Sequence, residues 1–224
     1  MGIFSSEPTY DRSRLLEAAG RARAKKRYRK AVALYRRVLT VEPRNVELHV
    51  RLAPLLAATG RSFDAWLSFQ SCAEVATAEK RLDQAAAIYR EAARCLPREL
   101  GAWERLAATE RARGRNREAL DGLLEGHRHF RGRRRRAEAI YLLRQAREIE
   151  PWNPGVVLPL TRLLARSDQQ SEAQLLLEQL AERASGSDLR RIRGAQWRIA
   201  PTLLNTWRWL RAALSGGSRD AIHA

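Results

Sequence analysis

The sequence KAVALYRRVLTVEP, residues 30–43, returns twice along the chain in a related form. Residues 84–97 read QAAAIYREAARCLP, and residues 138–151 read EAIYLLRQAREIEP. The prolines that end the three copies, Pro43, Pro97 and Pro151, are each 54 residues apart. Because several other positions keep the same interval without a gap, the sequence predicts a structural duplication.

Each copy has the apolar period of an α-helix. In the first copy Ala31, Leu34, Tyr35, Val38 and Leu39 follow the spacing i, i+3, i+4, i+7, i+8. The proline then ends the helix, because it lacks the N–H group and disfavours helix in the residue before it. Small residues recur at the same interval and leave room for large side chains of the next helix. These small residues are Ala31, Ala85 and Ala139 in one register and Ala65, Ala119 and Ala173 in another.

The pattern predicts an all-α fold of about ten helices followed by two C-terminal helical pieces. We expect helices near 11–26, 28–41, 46–59, 62–79, 82–96, 100–113, 116–133, 135–150, 155–167 and 170–184, then 189–199 and 201–214. Gly60 and Gly114 are expected to end helices in a left-handed conformation, Ser62 to cap a helix N-terminus, and Pro201 to start a helix. The predicted organisation is a flexible N-terminus (1–10), a helical repeat domain (11–184), capping or amphipathic helices (189–214) and a flexible tail (215–224).

Residues 100–120, LGAWERLAATERARGRNREAL, resemble the first half of a tetratricopeptide repeat. Trp103, Leu106, Ala107, Gly114 and Ala119 stand on its signature positions, and the resemblance covers roughly residues 11–184. It implies a right-handed α-solenoid whose concave face binds a protein partner without catalysis. The usual unit has two helices in about 34 residues, whereas a 54-residue interval fits three helices.

Basic residues are the main compositional feature of the chain. The net charge is +17, and 38 of the 42 basic residues are arginine, a bias that either an anionic partner or a GC-rich genome would produce. Three clusters stand out at 21–30, 127–136 and 189–198. The candidate anion-binding residues are Lys25, Lys26, Arg27, Arg131, Arg133, Arg134, Arg135 and Arg136.

Two further sets of residues are candidates for partner binding. Arg51, Arg105 and Arg162 lie on the predicted helices 46–59, 100–113 and 155–167, and we expect them to face the groove. In the C-terminal segment Leu203, Trp207, Leu210 and Leu214 form one apolar stripe, whose plainer interpretation is a cap on the last repeat. Trp209 lies off this stripe beside Arg208 and Arg211, so Trp207 and Trp209 are candidates for contact with a membrane or a partner.

The sequence predicts neither catalysis nor a bound cofactor or metal. No cysteine pair has zinc-binding spacing, no glycine-rich phosphate loop occurs, and His127 and His129 would not share a helix face. Cys72 and Cys95 fall where the repeat needs small buried residues, which indicates a reducing compartment. The start Met-Gly-x-x-x-Ser, with Gly2 and Ser6, matches the N-myristoylation pattern, although a frayed terminus is the plainer interpretation.

Two hypotheses for function follow from these observations. The first is a non-enzymatic, cytoplasmic scaffold or adaptor that holds a peptide or partner helix, acidic in character, in the concave face of the solenoid. The alternative is a protein associated with nucleic acid, or peripherally with an anionic membrane, through its arginine-rich turns and its C-terminal tryptophans.

Overall fold

The computed structural model describes residues 10–43 and 45–215, which form helices and connecting turns without a β-strand. The all-α, helical-repeat class predicted from the sequence is therefore confirmed for the described chain. The α-helices are α1 (Arg12–Ala24), α2 (Tyr28–Leu39), α3 (Val46–Ala58), α4 (Ser62–Ala78), α5 (Leu82–Cys95), α6 (Leu100–Ala112), α7 (Asn116–Gly126), α8 (Arg136–Ile149), α9 (Pro154–Ala165), α10 (Gln170–Arg183), α11 (Gly186–Ile199) and α12 (Leu203–Ser215).

Nine of these helices begin at three positions that recur along the chain. Helices α2, α5 and α8 begin at residues 28, 82 and 136, and each is followed by a proline-containing turn. Helices α3, α6 and α9 begin at 46, 100 and 154, and helices α4, α7 and α10 begin at 62, 116 and 170. Each series therefore advances by the interval that separates Pro43, Pro97 and Pro151 in the sequence.

The tight turns share one backbone motif. Lys26, Gly60, Lys80, Gly114 and Asp168 all have positive φ, between 54° and 81°. The following amide donates to the carbonyl five residues earlier, as from Arg61 N to Leu56 O at 2.9 Å, which is the pattern of a Schellman motif. The left-handed conformation predicted for Gly60 and Gly114 is confirmed.

The residues that recur at this interval form the interior. Tyr35, Tyr89 and Leu143 are at most 3% exposed, and the small residues of both registers are at most 1% exposed. Among the described residues after Glu110, a continuous core of leucine, isoleucine, valine and alanine joins α8, α9, α10 and α11. This core fixes the spacing of the helices that carry the site described in the next subsection.

Four local predictions are wrong. Helix α7 ends at Gly126 rather than at 133, because Phe130 turns inward to 3% exposure and Gly132 takes a φ of 87° that a helix does not accept. Short 3₁₀ turns at His127–His129 and Arg133–Arg135 replace the predicted helix. Helix α11 already begins at Gly186, and α4 is preceded by Arg61 at the N-cap position, with Ser62 its first residue.

The fourth wrong prediction concerns Pro201, which lies before α12 rather than at its start. The side chain of Thr202 caps this helix instead, accepting a hydrogen bond from the Asn205 amide at 3.2 Å.

The chain divides into two compact units, a first unit up to Thr109 and a second unit from Glu110. The division falls inside α6. The predicted boundaries of the repeat domain, 11–184, and of the C-terminal helices, 189–214, remain predictions. Gly2, Ser6 and residues 216–224 lie outside the described residues. None of the described helices combines the length and apolar character needed to cross a bilayer.

Candidate functional site

A groove of about 1030 Å³ runs between α9 and α11 in the second unit. The two helices contact each other although α10 separates them in sequence. Helix α12 contributes Trp209 to one wall. The complete lining is Pro154, Gly155, Leu158, Pro159, Thr161, Arg162, Ala165, Arg166, Gln170, Arg190, Arg191, Gly194, Ala195, Arg198, Ile199 and Trp209.

The groove forms because each helix presents one face to it and buries another. On α9, Gly155, Leu158, Pro159 and Arg162 follow i, i+3, i+4, i+7 and so lie on one face. Val156, Val157, Leu160 and Leu164 of the same helix are buried in the core. The start of α9 is held by Asn153, whose side-chain oxygen accepts from the Gly155 amide at 2.7 Å.

Helix α11 repeats this arrangement. Arg191, Gly194, Ala195 and Arg198 line the groove at the same helical spacing. Ile192, at 0% exposure, anchors the helix in the core. Small residues therefore form the middle of this wall, and arginines stand at its ends.

The groove has a strongly positive electrostatic character. Five arginines line it, and none of its lining residues is an aspartate or glutamate. Arg191 pairs with Asp188 at 3.4 Å, outside the lining. Among the described residues, no carboxylate lies within ion-pair distance of Arg162, Arg166, Arg190 or Arg198. Four guanidinium groups are therefore available to an anionic ligand.

A tryptophan pair closes the end of the groove near α12. The rings of Trp197 and Trp209 stack with centroids 6.0 Å apart and an angle of 21° between their planes. Gly194 lies against the Trp209 ring, and a Cβ built there would be 3.4 Å from Nε1 of Trp209, an ordinary van der Waals contact. Nearby, burial and the positive charge of Arg208 lower the pKa of Arg193, which indicates that positive charge is concentrated around α11.

The structure brings together two of the residues predicted from the sequence. Arg162 and Trp209 line the same groove. Arg51 and Arg105 belong to the first unit, where Arg51 pairs with Glu47 at 2.5 Å and Arg105 is exposed. Lys25, Lys26 and Arg27 form the exposed turn between α1 and α2.

The predicted anion patch at 131–136 is partly structural. Arg131 donates to the Arg128 carbonyl at 3.0 Å, and Arg136 donates to the Arg166 carbonyl. Arg135 stacks over Phe130 at 4.7 Å and pairs with Glu138 at 3.1 Å.

Three arginines of this patch keep the exposure that the prediction assumed. Arg131, Arg133 and Arg134 are exposed, and Arg133 lines a shallow depression beside Tyr141 and Asp168. The prediction treated all five arginines as available to a partner, whereas Arg131, Arg135 and Arg136 make contacts within the protein.

The C-terminal tryptophans match the expectation in part. The stripe that should cap the last repeat points to solvent, with Leu203 92%, Trp207 57% and Leu210 46% exposed. Trp209, expected to be exposed beside arginines, is 38% exposed but also packs on Trp197 and lies over Gly194. The side chain of Leu214 lies outside the described residues.

Sequence reasoning missed Arg166, Arg190 and Arg198 as site residues. The run 189–198 was recognised as basic, but nothing in it indicated which other helix it would face. One signal in the sequence could have pointed to the groove. Its residues on α9 and on α11 share the helical spacing i, i+3, i+4, i+7, which places each set on one helix face.

The described residues suit binding rather than nucleophilic chemistry at the cysteines. Burial raises the pKa of the Cys72 and Cys95 thiols to about 11, so both are protonated at neutral pH. No group of three or more histidine, cysteine or acidic residues among the described positions could hold a metal ion.

Comparison with known proteins concerns the fold. A tetratricopeptide repeat family model matches residues 130–196. No curated protein sequence matches the chain. Among solved structures, MamA is 14% identical over 94% of this chain and 94% of its own, with a TM-score of 0.34.

Two further structures have similar values. PilW, a type IV pilus biogenesis factor, is 16% identical over 92% of this chain and 93% of its own, with a TM-score of 0.37. The TPR domain of P58(IPK) is 15% identical over 87% of this chain and 66% of its own, with a TM-score of 0.35. The resemblance to the tetratricopeptide repeat family is confirmed by the family model, which matches residues 130–196 and so covers α8, α9 and α10 and most of α11.

Proposed function

We propose that the protein is a non-enzymatic interaction scaffold whose α9–α11 groove binds an acidic peptide segment or the acidic face of a partner helix. One observation carries the proposal. The groove combines five arginines with an apolar floor and has no carboxylate in its lining. Such a surface attracts carboxylates over long distances and then holds aliphatic side chains between them.

The dimensions of the groove favour a polypeptide over a small molecule. The lining on α9 extends from Pro154 to Arg166, which corresponds to about 18 Å at the usual rise per residue. An extended peptide of about five or six residues covers this length. Leu158, Pro159 and Ile199 offer apolar contacts between the guanidinium groups, so acidic residues alternating with leucine or isoleucine would fit best.

The groove also favours acidic peptide over single-stranded nucleic acid. Proteins that bind single strands present aromatic rings on which successive bases stack. The aromatic residue in this lining is Trp209, and Trp197 already occupies a position stacked on its ring. A row of free aromatic surfaces along the groove is therefore missing from the described residues.

The test uses the full chain and a defined probe, a fluorescent peptide of alternating glutamate and leucine, with a glutamine–leucine peptide as comparison. We expect anisotropy to report tighter binding of the glutamate peptide. Arg162→Gln with Arg198→Gln should weaken that binding by at least about tenfold, since both guanidinium groups are lost from opposite walls.

The matched control is Arg23→Gln with Arg29→Gln, two exposed arginines of the first unit that change the net charge equally. This control should bind the glutamate peptide within about twofold of the wild type. Equal binding of the two peptides, or equal loss in both double variants, would show that general charge rather than the groove is responsible. The wild type could instead bind a poly-deoxythymidine oligonucleotide more tightly than the glutamate peptide, and Arg162→Gln with Arg198→Gln could abolish that binding. This result would identify nucleic acid, rather than acidic peptide, as the ligand of the groove.

A further inference from the structure

Helix α12 presents an apolar face that no other described element covers. Leu203, Trp207 and Leu210 lie at i, i+4, i+7 and are 92%, 57% and 46% exposed. Leu204, at 56% exposure, borders the same face. Isolated exposed leucines are common on proteins, but a contiguous stripe that includes a tryptophan indicates an interaction site. This stripe is called the α12 apolar face below.

The opposite face of α12 is docked, so the exposure does not come from a detached helix. Trp209 stacks on Trp197, and Ala212 is 8% exposed. Asn205 donates from its side-chain amide to the Ala200 carbonyl at 2.9 Å. The helix is thus held against α11 by one side and presents Leu203, Trp207 and Leu210 on the other.

Positive charge surrounds the α12 apolar face. Residues 186–215, which form α11, α12 and their connection, contain six arginines and one acidic residue, Asp188. Arg208 and Arg211 lie on α12 itself, and the Arg211 guanidinium stands 5.4 Å from the centre of the Trp207 ring. A cation held over an indole at the edge of an apolar stripe can reach an anionic surface while the ring enters an apolar layer.

We propose that α12 docks on an anionic phospholipid surface. Leu203, Trp207 and Leu210 enter the boundary between headgroups and acyl chains, and Arg208 and Arg211 contact lipid phosphates. Amphipathic helices with leucine and tryptophan on one face and arginine beside it bind membranes in this way, lying in the plane of the interface. Indole rings favour this depth because they are amphipathic.

Two other occupants fit the observations less well. A second copy of the chain would bring another Arg208 and Arg211 to the same small apolar stripe, and this added positive charge opposes association. A protein partner would need a much larger patch, since stable interfaces involve about 20–30 residues on each side and this stripe has four. A bilayer does not require a large patch, because its lipids rearrange around an inserted helix.

The test is flotation of the full chain with vesicles of phosphatidylcholine alone or with about one third phosphatidylserine. We expect the wild type to float with the anionic vesicles and to remain unbound with the neutral ones. Leu203→Gln, Trp207→Gln and Leu210→Gln combined should reduce bound protein by at least about tenfold. Arg208→Gln with Arg211→Gln should reduce binding at low salt and make the remainder less sensitive to salt.

A matched control is Phe63→Gln, which removes another exposed apolar side chain, 72% exposed, from the first unit. It should float as the wild type does, and far-UV circular dichroism should show all variants folded. Absence of wild-type flotation with anionic vesicles would overturn the proposal, and so would unchanged flotation of the triple variant. The groove variant Arg162→Gln with Arg198→Gln tests a different site, so loss of peptide binding there would leave vesicle binding intact.

Discussion

At the scale of single residues, Gly101 determines how closely α6 approaches α4. A Cβ at Gly101 would lie 2.7 Å from Cζ2 of Trp66, a distance that side-chain carbons do not tolerate. Trp66 cannot move away freely, because its ring already packs against Tyr89 with centroids 6.3 Å apart. Gly20 in α1 is the opposite case, since nothing lies within 4 Å of a Cβ built there.

These two glycines give a paired prediction. Gly101→Ala should lower the free energy of unfolding by about 1–3 kcal/mol through overpacking. Gly20→Ala should raise it by up to about 1 kcal/mol, because alanine restricts the unfolded chain and favours helix. Urea unfolding followed by circular dichroism measures both changes. Gly101→Ala as stable as the wild type would show that the Trp66 ring has space to withdraw.

Residue-scale prediction from the sequence succeeded where one helix contained the whole pattern. Ala85 and Ala139 are buried at 0% and 1% exposure, as the fixed interval required. It failed for α12, where both faces contain tryptophan and hydropathy cannot tell which one docks. Trp209 docks because its ring stacks on Trp197 of α11 and lies against Gly194, contacts with another helix that hydropathy along α12 does not encode.

At the scale of elements, the tight turns connect helices by one left-handed residue. Gly60 and Gly114 adopt this conformation without strain, whereas Lys26 and Lys80 adopt it at φ values of 54° and 59° despite their side chains. A non-glycine residue there has a conformational cost of about 1–2 kcal/mol. The sequence identified the glycine turns but gave no sign that lysine serves the same position.

Adjacent lysines in the α1–α2 turn allow this cost to be measured. Lys26→Gly should raise the free energy of unfolding by about 0.5–1 kcal/mol, because φ is 54° and glycine relieves the strain. Lys25→Gly should lower it by a similar amount, about 0.5–1 kcal/mol, since φ is −83° there and glycine only adds freedom to the unfolded chain. Both variants lose one exposed positive charge, so charge cancels in the comparison. Equal melting temperatures for the two would contradict the assignment of strain to Lys26.

The end of α7 shows why element boundaries were harder to predict than element identity. The run HRHFRGRRRR contains no proline, so periodicity favoured a helix to 133. In the structure Phe130 is buried and Arg135 stacks over its ring, a contact that requires the chain to leave the helix first. Such a contact between residues in an irregular segment has no periodic signature.

At the scale of the whole molecule, the sequence determines the order of helices better than the partners of each surface. Short turns make consecutive helices pack, and this was predictable from the proline and glycine positions. The groove depends instead on contact between α9 and α11, which are not consecutive. The net charge of +17 is a property of the complete chain, and the repulsion it causes is present in every folded conformation.

This net charge leads to a prediction about salt. Repulsion between like charges opposes the compact state, and NaCl screens it by shortening the Debye length from about 20 Å at about 20 mM to about 6 Å at about 300 mM. We expect the melting temperature to rise by a few degrees over this range, because exposed ion pairs such as Arg36–Asp64 contribute little to be screened. Arg23→Gln with Arg29→Gln should melt higher than the wild type at low salt and gain less from added NaCl, since it has two fewer charges to repel. A melting temperature that falls steadily with NaCl would mean that the surface ion pairs outweigh the excess of arginine.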